Sequence, residues 1–291
     1  MRQKDTENYK QDFKHKVIIA LDFDNMQRVR NIIRELEGEA YFYKIGMELF
    51  TSCGPEVVRE IKNSGYGVFL DLKFLDIPNT VYKAVRSAAG LGADIISVHA
   101  LGGIEMMNAA KKAVDEHRKE SGKKISLFAV TILTSMSSDG LKEIGFCDKP
   151  DGKNSGKKNI SRNIAGNNGN YYNYNNKDKI DNSKIMVERA VLKLAGLAKM
   201  CGFDGVVCSP VESAAIKYTY GNEFQTITPG IRLRDSGKEI SGNDQKRISS
   251  PSAAFAAKAD YIVIGRPITR SADPLLSLKN VYEDIKNAIK L

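Results

Sequence analysis

Short apolar, β-branched runs alternate with amphipathic stretches along almost the whole chain, about eight times in all. The first run is VIIAL at 17–21, and the first stretch, 25–36, places Met26, Val29, Ile32, Ile33 and Leu36 at helical spacing. Further strands are expected at 41–45, 67–72, 93–98, 125–132, 205–208, 225–228 and 261–264. Helices are expected at 55–64, about 80–91, about 103–120, about 187–200, near 211–218, at 252–257 and about 274–289. The strands are apolar on both faces, which suits a parallel sheet covered by helices. Over 291 residues this pattern favours an α/β fold closed as one (β/α)8 TIM barrel over 17–291. An open doubly wound sheet is the alternative.

One segment breaks the rhythm. Residues 148–184 hold ten Asn, the run GNNGNYYNYNN and almost no branched apolar side chains. Such a composition buries too little surface to offset its ordering entropy, so a disordered insertion is expected after strand five. Its eight Lys and Arg against four Asp carry +4 of the formal +9, so the barrel itself is only mildly basic. Residues 1–16 read as a polar extension without the apolar core of a signal peptide. No apolar run is long enough to span a bilayer. Cys53, Cys147, Cys201 and Cys208 form no CxxC pair and lack zinc-site spacing. A cytoplasmic protein with reduced thiols, binding neither membrane nor metal, is expected.

Barrel active sites lie at the C-terminal ends of the strands. Polar residues expected there are Asp22, Lys44, Asp71, Lys73, His99, Thr131 and Thr134, followed by Arg232 after Gly230 and Arg266 after Gly265. Core packing does not ask for such a set. Asp71 and Lys73 stand two apart on a strand and so face one side. Asp76 follows across a turn stiffened by Pro78. An ammonium among carboxylates stays protonated, which suits proton delivery to a carbanion and argues against a Schiff base. The last two loops, with Gly230, Gly265 and their arginines, have the placement of a barrel phosphate site. The chain has no GxxxxGK[ST], HExxH or GxSxG, and nothing in it demands a metal or an organic cofactor.

These residues stand in segments that resemble the orotidine 5′-phosphate decarboxylase family: VIIALDF (17–23), YKIGMELF (43–50), FLDLKFLDIPNT (69–80), ISVHALGG (96–103), VTILTSM (130–136), DGVVCS (204–209), TPGIR (228–232) and VIGRPIT (263–269). The string DxKxxD followed by IPNT is the most specific of them, and the variant is similar to the bacterial type. The resemblance implies a cofactor-free decarboxylase that makes UMP and CO2, the last step of de novo pyrimidine synthesis. It implies that Lys73 protonates C6 as CO2 leaves, with Asp71 beside it. It implies a homodimer in which Asp76, arriving with Thr80, reaches in from the partner subunit. Asp22 and Lys44 would hold ribose hydroxyls, and Thr134 would contact the base. Arg232, Gln245, Gly265 and Arg266 would hold the base-side loop and the phosphate. Two rivals are distinguishable. A metal-dependent hexulose-phosphate synthase or keto-gulonate-phosphate decarboxylase shares the DxKxxD string, but the IPNT tail and the TPGIR loop favour the nucleotide enzyme. A silent RNA-binding protein would use the basic Asn/Tyr insertion by stacking, with strong salt dependence.

Overall fold

A computed structural model describes residues 13–146, 182–233 and 249–289. Eight parallel strands close into a barrel in sequence order. They are β1 (Val17–Leu21), β2 (Phe42–Gly46), β3 (Gly67–Phe74), β4 (Ile95–His99), β5 (Ser126–Val130), β6 (Gly205–Val207), β7 (Gln225–Thr228) and β8 (Tyr261–Ile264). The helices that separate them are α1 (Met26–Glu35), α2 (Met47–Cys53), α3 (Glu56–Asn63), α4 (Pro78–Gly90), α5 (Gly103–Ser121), α6 (Ser138–Glu143), α7 (Asn182–Met200), α8 (Pro210–Tyr220), α9 (Pro251–Ala256), α10 (Arg266–Thr269) and α11 (Pro274–Ile289). The expected (β/α)8 barrel is therefore the fold, and the open sheet is excluded because β1 pairs with β8. α2, α6 and α10 were not expected. The helix expected from about 187 begins at Asn182, so 182–184 are helical rather than part of the insertion, while 147–181 and Gln245 lie outside the described residues.

Local chemistry starts several helices. Asn25 caps α1 by accepting from the Arg28 N–H at 3.0 Å. Pro210 opens α8, and Glu212 reaches back to accept from the Ser209 N–H at 2.7 Å. Ser250 caps α9 ahead of Pro251, its Oγ accepting from the Ala253 N–H at 3.2 Å.

Side-chain parity sorts the strands into two cores. Val17, Ile19 and Leu21 of β1 join the large layer between sheet and helices, as do Tyr43, Ile45, Val68, Leu70, Leu127, Ala129, Ile262 and Ile264. Ile18, Ala20, Phe42, Phe69, Ile95, Phe128, Val130, Val207, Ile227 and Val263, drawn from all eight strands, fill the barrel interior. Two glycines make that filling possible. A Cβ on Gly67 would stand 2.4 Å from the Phe42 ring, and one on Gly205 would stand 2.7 Å from the Phe128 ring. The rings occupy the space those side chains would take.

The opposite end of the barrel carries a device used three times. Asp94, just before β4, donates its N–H to the Val68 carbonyl at 3.0 Å and accepts the Val68 N–H on Oδ2 at 2.7 Å. Asp204 does the same to Leu127 before β6, and Asp260 to Thr226 before β8. Each aspartate thus clamps both backbone groups of one residue on the preceding strand. Lys62 and buried Lys217 neutralise two of the three, at 2.8 Å from Asp94 and 2.6 Å from Asp260.

Candidate active site

Interior parity carries polar side chains to the C-terminal mouth. Lys44 of β2, Asp71 of β3, and Ser97 and His99 of β4 follow Phe42, Phe69 and Ile95 along their strands at steps of two. Lys44 thus stands inside β2 rather than at its end. The mouth opens into a cavity of about 470 Å³. Asp22, Lys44, Asp71, Lys73, Thr134, Arg232, Gly265 and Arg266 all line it.

Four of these side chains alternate in charge. Lys44 Nζ lies 3.1 Å from Asp22 Oδ1 and 3.9 Å from Asp71 Oδ2, and Lys73 Nζ lies 2.8 Å from that same Asp71 oxygen. The row runs from the half-exposed Asp22 across β1, β2 and β3 to Lys73. Gly46 leaves room for it, since a Cβ there would meet Lys44 Nζ at 2.9 Å. Asp71 is 6% exposed. Burial by itself pushes its carboxyl up. Attraction to Lys73 and Lys44, with hydrogen bonds from Lys73 and Ser97, outweighs that and holds it below the ordinary carboxylate range. His99 is held below the ordinary imidazole range, first by burial and then by repulsion from Lys73. Its Nδ1 accepts from the Leu101 N–H at 3.3 Å, so the ring is neutral at that nitrogen.

Asp71 and Lys73 meet, but not by regular alternation. The β3–β4 register runs Phe69 to Ile95 and Leu70 to Ile96, then jumps to Phe74 opposite Val98. Four residues on β3 thus span two on β4. Lys73 sits in this bulge with φ of +51°, a left-handed conformation that costs a non-glycine residue about 1–3 kcal/mol and collects at functional sites. The displaced Lys73 N–H donates to Ser97 Oγ at 2.9 Å.

The other half of the mouth is cationic. Arg232 after β7, and Arg266 and Arg270 after β8, line the same cavity. Arg270 and Ser135 join the expected residues in that lining. The barrel order places β8 beside β1 and β7 next to β8, so the arginines continue the arc of charges. Gly230 has φ of +87°, a conformation that favours glycine. Its carbonyl accepts from Ser249 N–H, and the Ser249 carbonyl accepts from Arg232 N–H, which pins the two ends of the loop that leaves β7. Apolar walls come from Phe69, Val130, Ile132, Val207 and Val263. The cavity thus offers an apolar wall, an amine beside a carboxylate, and a guanidinium cluster suited to a phosphate.

Asp76 and Thr80 do not line the cavity of this chain; both are exposed, Asp76 on the turn before α4 and Thr80 in its first turn. In the segments that follow β2, β3 and β4, Met47, Leu75, Ile77, Leu101 and Ile104 are exposed, Ile77 at 66%.

Comparison with known proteins accords with this geometry. The family model described as "Orotidine 5'-phosphate decarboxylase / HUMPS family" matches residues 15–152 and 172–281. The orotidine 5′-phosphate decarboxylase of Idiomarina loihiensis is 41% identical over 270 residues, 93% of this chain and 97% of that one. That of Nitrosomonas eutropha is 39% identical over 274 residues, 94% and 98% of the two chains. The crystal structure of orotidine 5′-phosphate decarboxylase from Lactobacillus acidophilus superimposes with a TM-score of 0.70 at 32% identity, covering 93% of this chain and 98% of that chain.

Proposed function

Since the chain belongs to the orotidine 5′-phosphate decarboxylase / HUMPS family, we propose that its barrel mouth is the site at which it decarboxylates orotidine 5′-phosphate to UMP and CO2. The chain is a carboxy-lyase of pyrimidine biosynthesis. One observation carries the assignment of roles: the Lys73 ammonium, 2.8 Å from a buried carboxylate, ends a row of alternating charges against an apolar wall.

Loss of CO2 leaves an electron pair on the ring carbon with no cofactor to delocalise it. Fixed charge must stabilise it. Lys73 does this as an ammonium and then transfers its proton to C6. Asp71 keeps the ammonium in place and, set near the substrate carboxylate, adds ground-state repulsion. Asp22 and Lys44 hold ribose hydroxyls, and Thr134 contacts the base. Arg232, Arg266 and the Gly265 backbone, with Gln245 from the loop after β7, hold the phosphate side. Binding energy from the phosphate, remote from the reacting carbon, supports the chemical step.

A homodimer completes this site. The exposed apolar side chains on the loops after β2, β3 and β4 support a self-association surface. Asp76 and Thr80, exposed on either side of Ile77 in sequence, would enter the partner's cavity from this surface. Among the described residues no helix is long and apolar enough to cross a membrane; the reaction belongs in the cytoplasm.

The test is a spectrophotometric assay of purified protein with orotidine 5′-phosphate, with and without EDTA. Turnover should survive the chelator; a requirement for divalent metal would favour the enediolate chemistry of the rival barrel enzymes. Lys73→Ala should lose many orders of magnitude in kcat while its circular dichroism stays native. Retention of even about a hundredth of the parent rate would remove Lys73 from the proton-donor role.

A further inference from the structure

We propose that Ser97, which no part of the assigned chemistry uses, is a positioning residue that sets the Asp71–Lys73 pair for the reaction. The proposal rests on the reading of Lys73 as proton donor.

Ser97 is fully buried on β4 and points into the barrel interior. Its hydroxyl makes two contacts at once. It accepts the Lys73 N–H at 2.9 Å and donates to Asp71 Oδ1 at 2.9 Å. A serine hydroxyl has a single proton. Because an ionised carboxylate can only accept, that proton goes to Asp71 while a lone pair takes the Lys73 amide. The other Asp71 oxygen, Oδ2, receives the Lys73 ammonium at 2.8 Å. Ser97 therefore ties both ends of the pair, the backbone of Lys73 and the carboxylate that holds its ammonium.

The bulge gives this tie its purpose. Continued register would set Asp71 opposite Ser97 and Leu72 opposite Val98, but Phe74 takes that place instead. The peptide at Lys73 has lost its ladder partner, and φ of +51° turns it out of the strand. Ser97 is fully buried, so the Lys73 N–H that faces it meets a side chain there rather than solvent. The Ser97 side chain occupies the gap and substitutes for the missing strand carbonyl. Without it, the Lys73 N–H loses its acceptor and Asp71 keeps only the lysine contacts on Oδ2 to set its carboxylate plane. An error of about 1 Å in a reacting group is worth roughly a hundredfold in rate.

The test is Ser97→Ala, which deletes both bonds and adds no volume. Expected is a fall in kcat of about tenfold to a hundredfold, with KM for the nucleotide and the dissociation constant for UMP within about threefold of the parent. The acid limb of the kcat/KM–pH profile should move to higher pH, since a hydrogen bond to the ionised Asp71 has been withdrawn. Ser97→Thr, which keeps the hydroxyl, should restore most of kcat. Ser97→Cys, similar in size but a weak donor, should fall between the two and gives a second reading if either other variant folds poorly.

A folded Ser97→Ala enzyme with kcat within about twofold of the parent would overturn the proposal. So would equal losses in kcat and UMP affinity that Ser97→Thr leaves unrescued, because they would mark a merely structural role. The reading beneath it fails separately: if Lys73→Ala keeps its activity the proton-donor role is wrong, whereas an inactive Lys73→Ala beside a normal Ser97→Ala sinks the positioning role alone.

Discussion

Asp71 and His99 both stand in the folded chain with fewer protons than the unfolded chain would bind. Asp71 lies below its ordinary 3.8, where lysine attraction outweighs burial, and His99 lies below its ordinary 6.5 through burial and then Lys73. For each group the unfolded state takes up protons that the folded state refuses, so stability rises with pH across its window. The Asp71 contribution is complete above its unfolded value and is lost as pH falls through its folded value. The buried His99 imidazole is neutral at no cost above 6.5 and becomes a liability below it. Thermal melts at about one-unit steps from pH 8 to pH 3 should show the midpoint falling in two stages. His99→Asn should remove the upper stage and keep the lower; an unchanged upper stage would exclude His99 as its source. At the phosphate side, Arg266→Ala should raise KM by about tenfold or more with a smaller change in kcat, as expected for an interaction present throughout the reaction. An unchanged KM would count against a phosphate role for Arg266.

The three aspartate clamps belong to the scale of elements. Each follows a turn with positive φ two residues earlier: Gly92 at +90°, Gly202 at +75° and Lys258 at +64°. The first two turns use glycine, which adopts that conformation without steric cost, whereas Lys258 pays it with an exposed side chain. Relief of about 1–2 kcal/mol of left-handed strain exceeds the entropy glycine adds to the unfolded chain, leaving a net gain of about 0.5–1 kcal/mol. Lys258→Gly should therefore raise Tm by about 1–3 °C without altering turnover. A lower Tm would show that the lysine makes contacts that outweigh its strain. The only other non-glycine residue with positive φ among the described residues is Lys73. There the strain is offset by Ser97 and aims an amine into the cavity.

At the scale of the whole molecule, one barrel holds the row from Asp22 to Lys73 and the arginine cluster, while Asp76 and Thr80 face outward. A shared site makes a sharp prediction. Lys73→Ala and Asp76→Ala homodimers should each be nearly inactive. When the two are mixed and allowed to exchange subunits, roughly a quarter of parental activity should return, because half the dimers then carry one intact site. No recovery under conditions where exchange is demonstrated would confine the site to a single chain. Ile77→Asp, which places a charge in the exposed apolar patch, should yield monomers by analytical ultracentrifugation and lose activity in parallel.

Much of this was legible in sequence because it rests on local periodicity. Val17–Leu21, Gln225–Thr228, Tyr261–Ile264 and Pro274–Ile289 coincide with the elements found, since periods of 2 and 3.6 are written into each segment by what it must bury. The same period of two gave Lys44 and Asp71 the interior side that Phe42 and Phe69 share. α2 escaped notice because MELFTSC follows β2 without a break and Gly46 supplies no capping side chain. α6 escaped because it has six residues and a single buried side chain, Leu141. Ser97 read as one more small residue in a buried strand, for its value depends on a register shift in the neighbouring strand. The sequence by itself thus determined the eightfold alternation, the barrel and the charged residues at its rim. Only the tertiary structure decided that β3 bulges against β4, that Lys73 turns left-handed, and that a serine 24 residues away ties it to Asp71. Backbone hydrogen bonds lost between strands must be replaced by whatever side chain the adjacent strand presents, and no single segment carries that information.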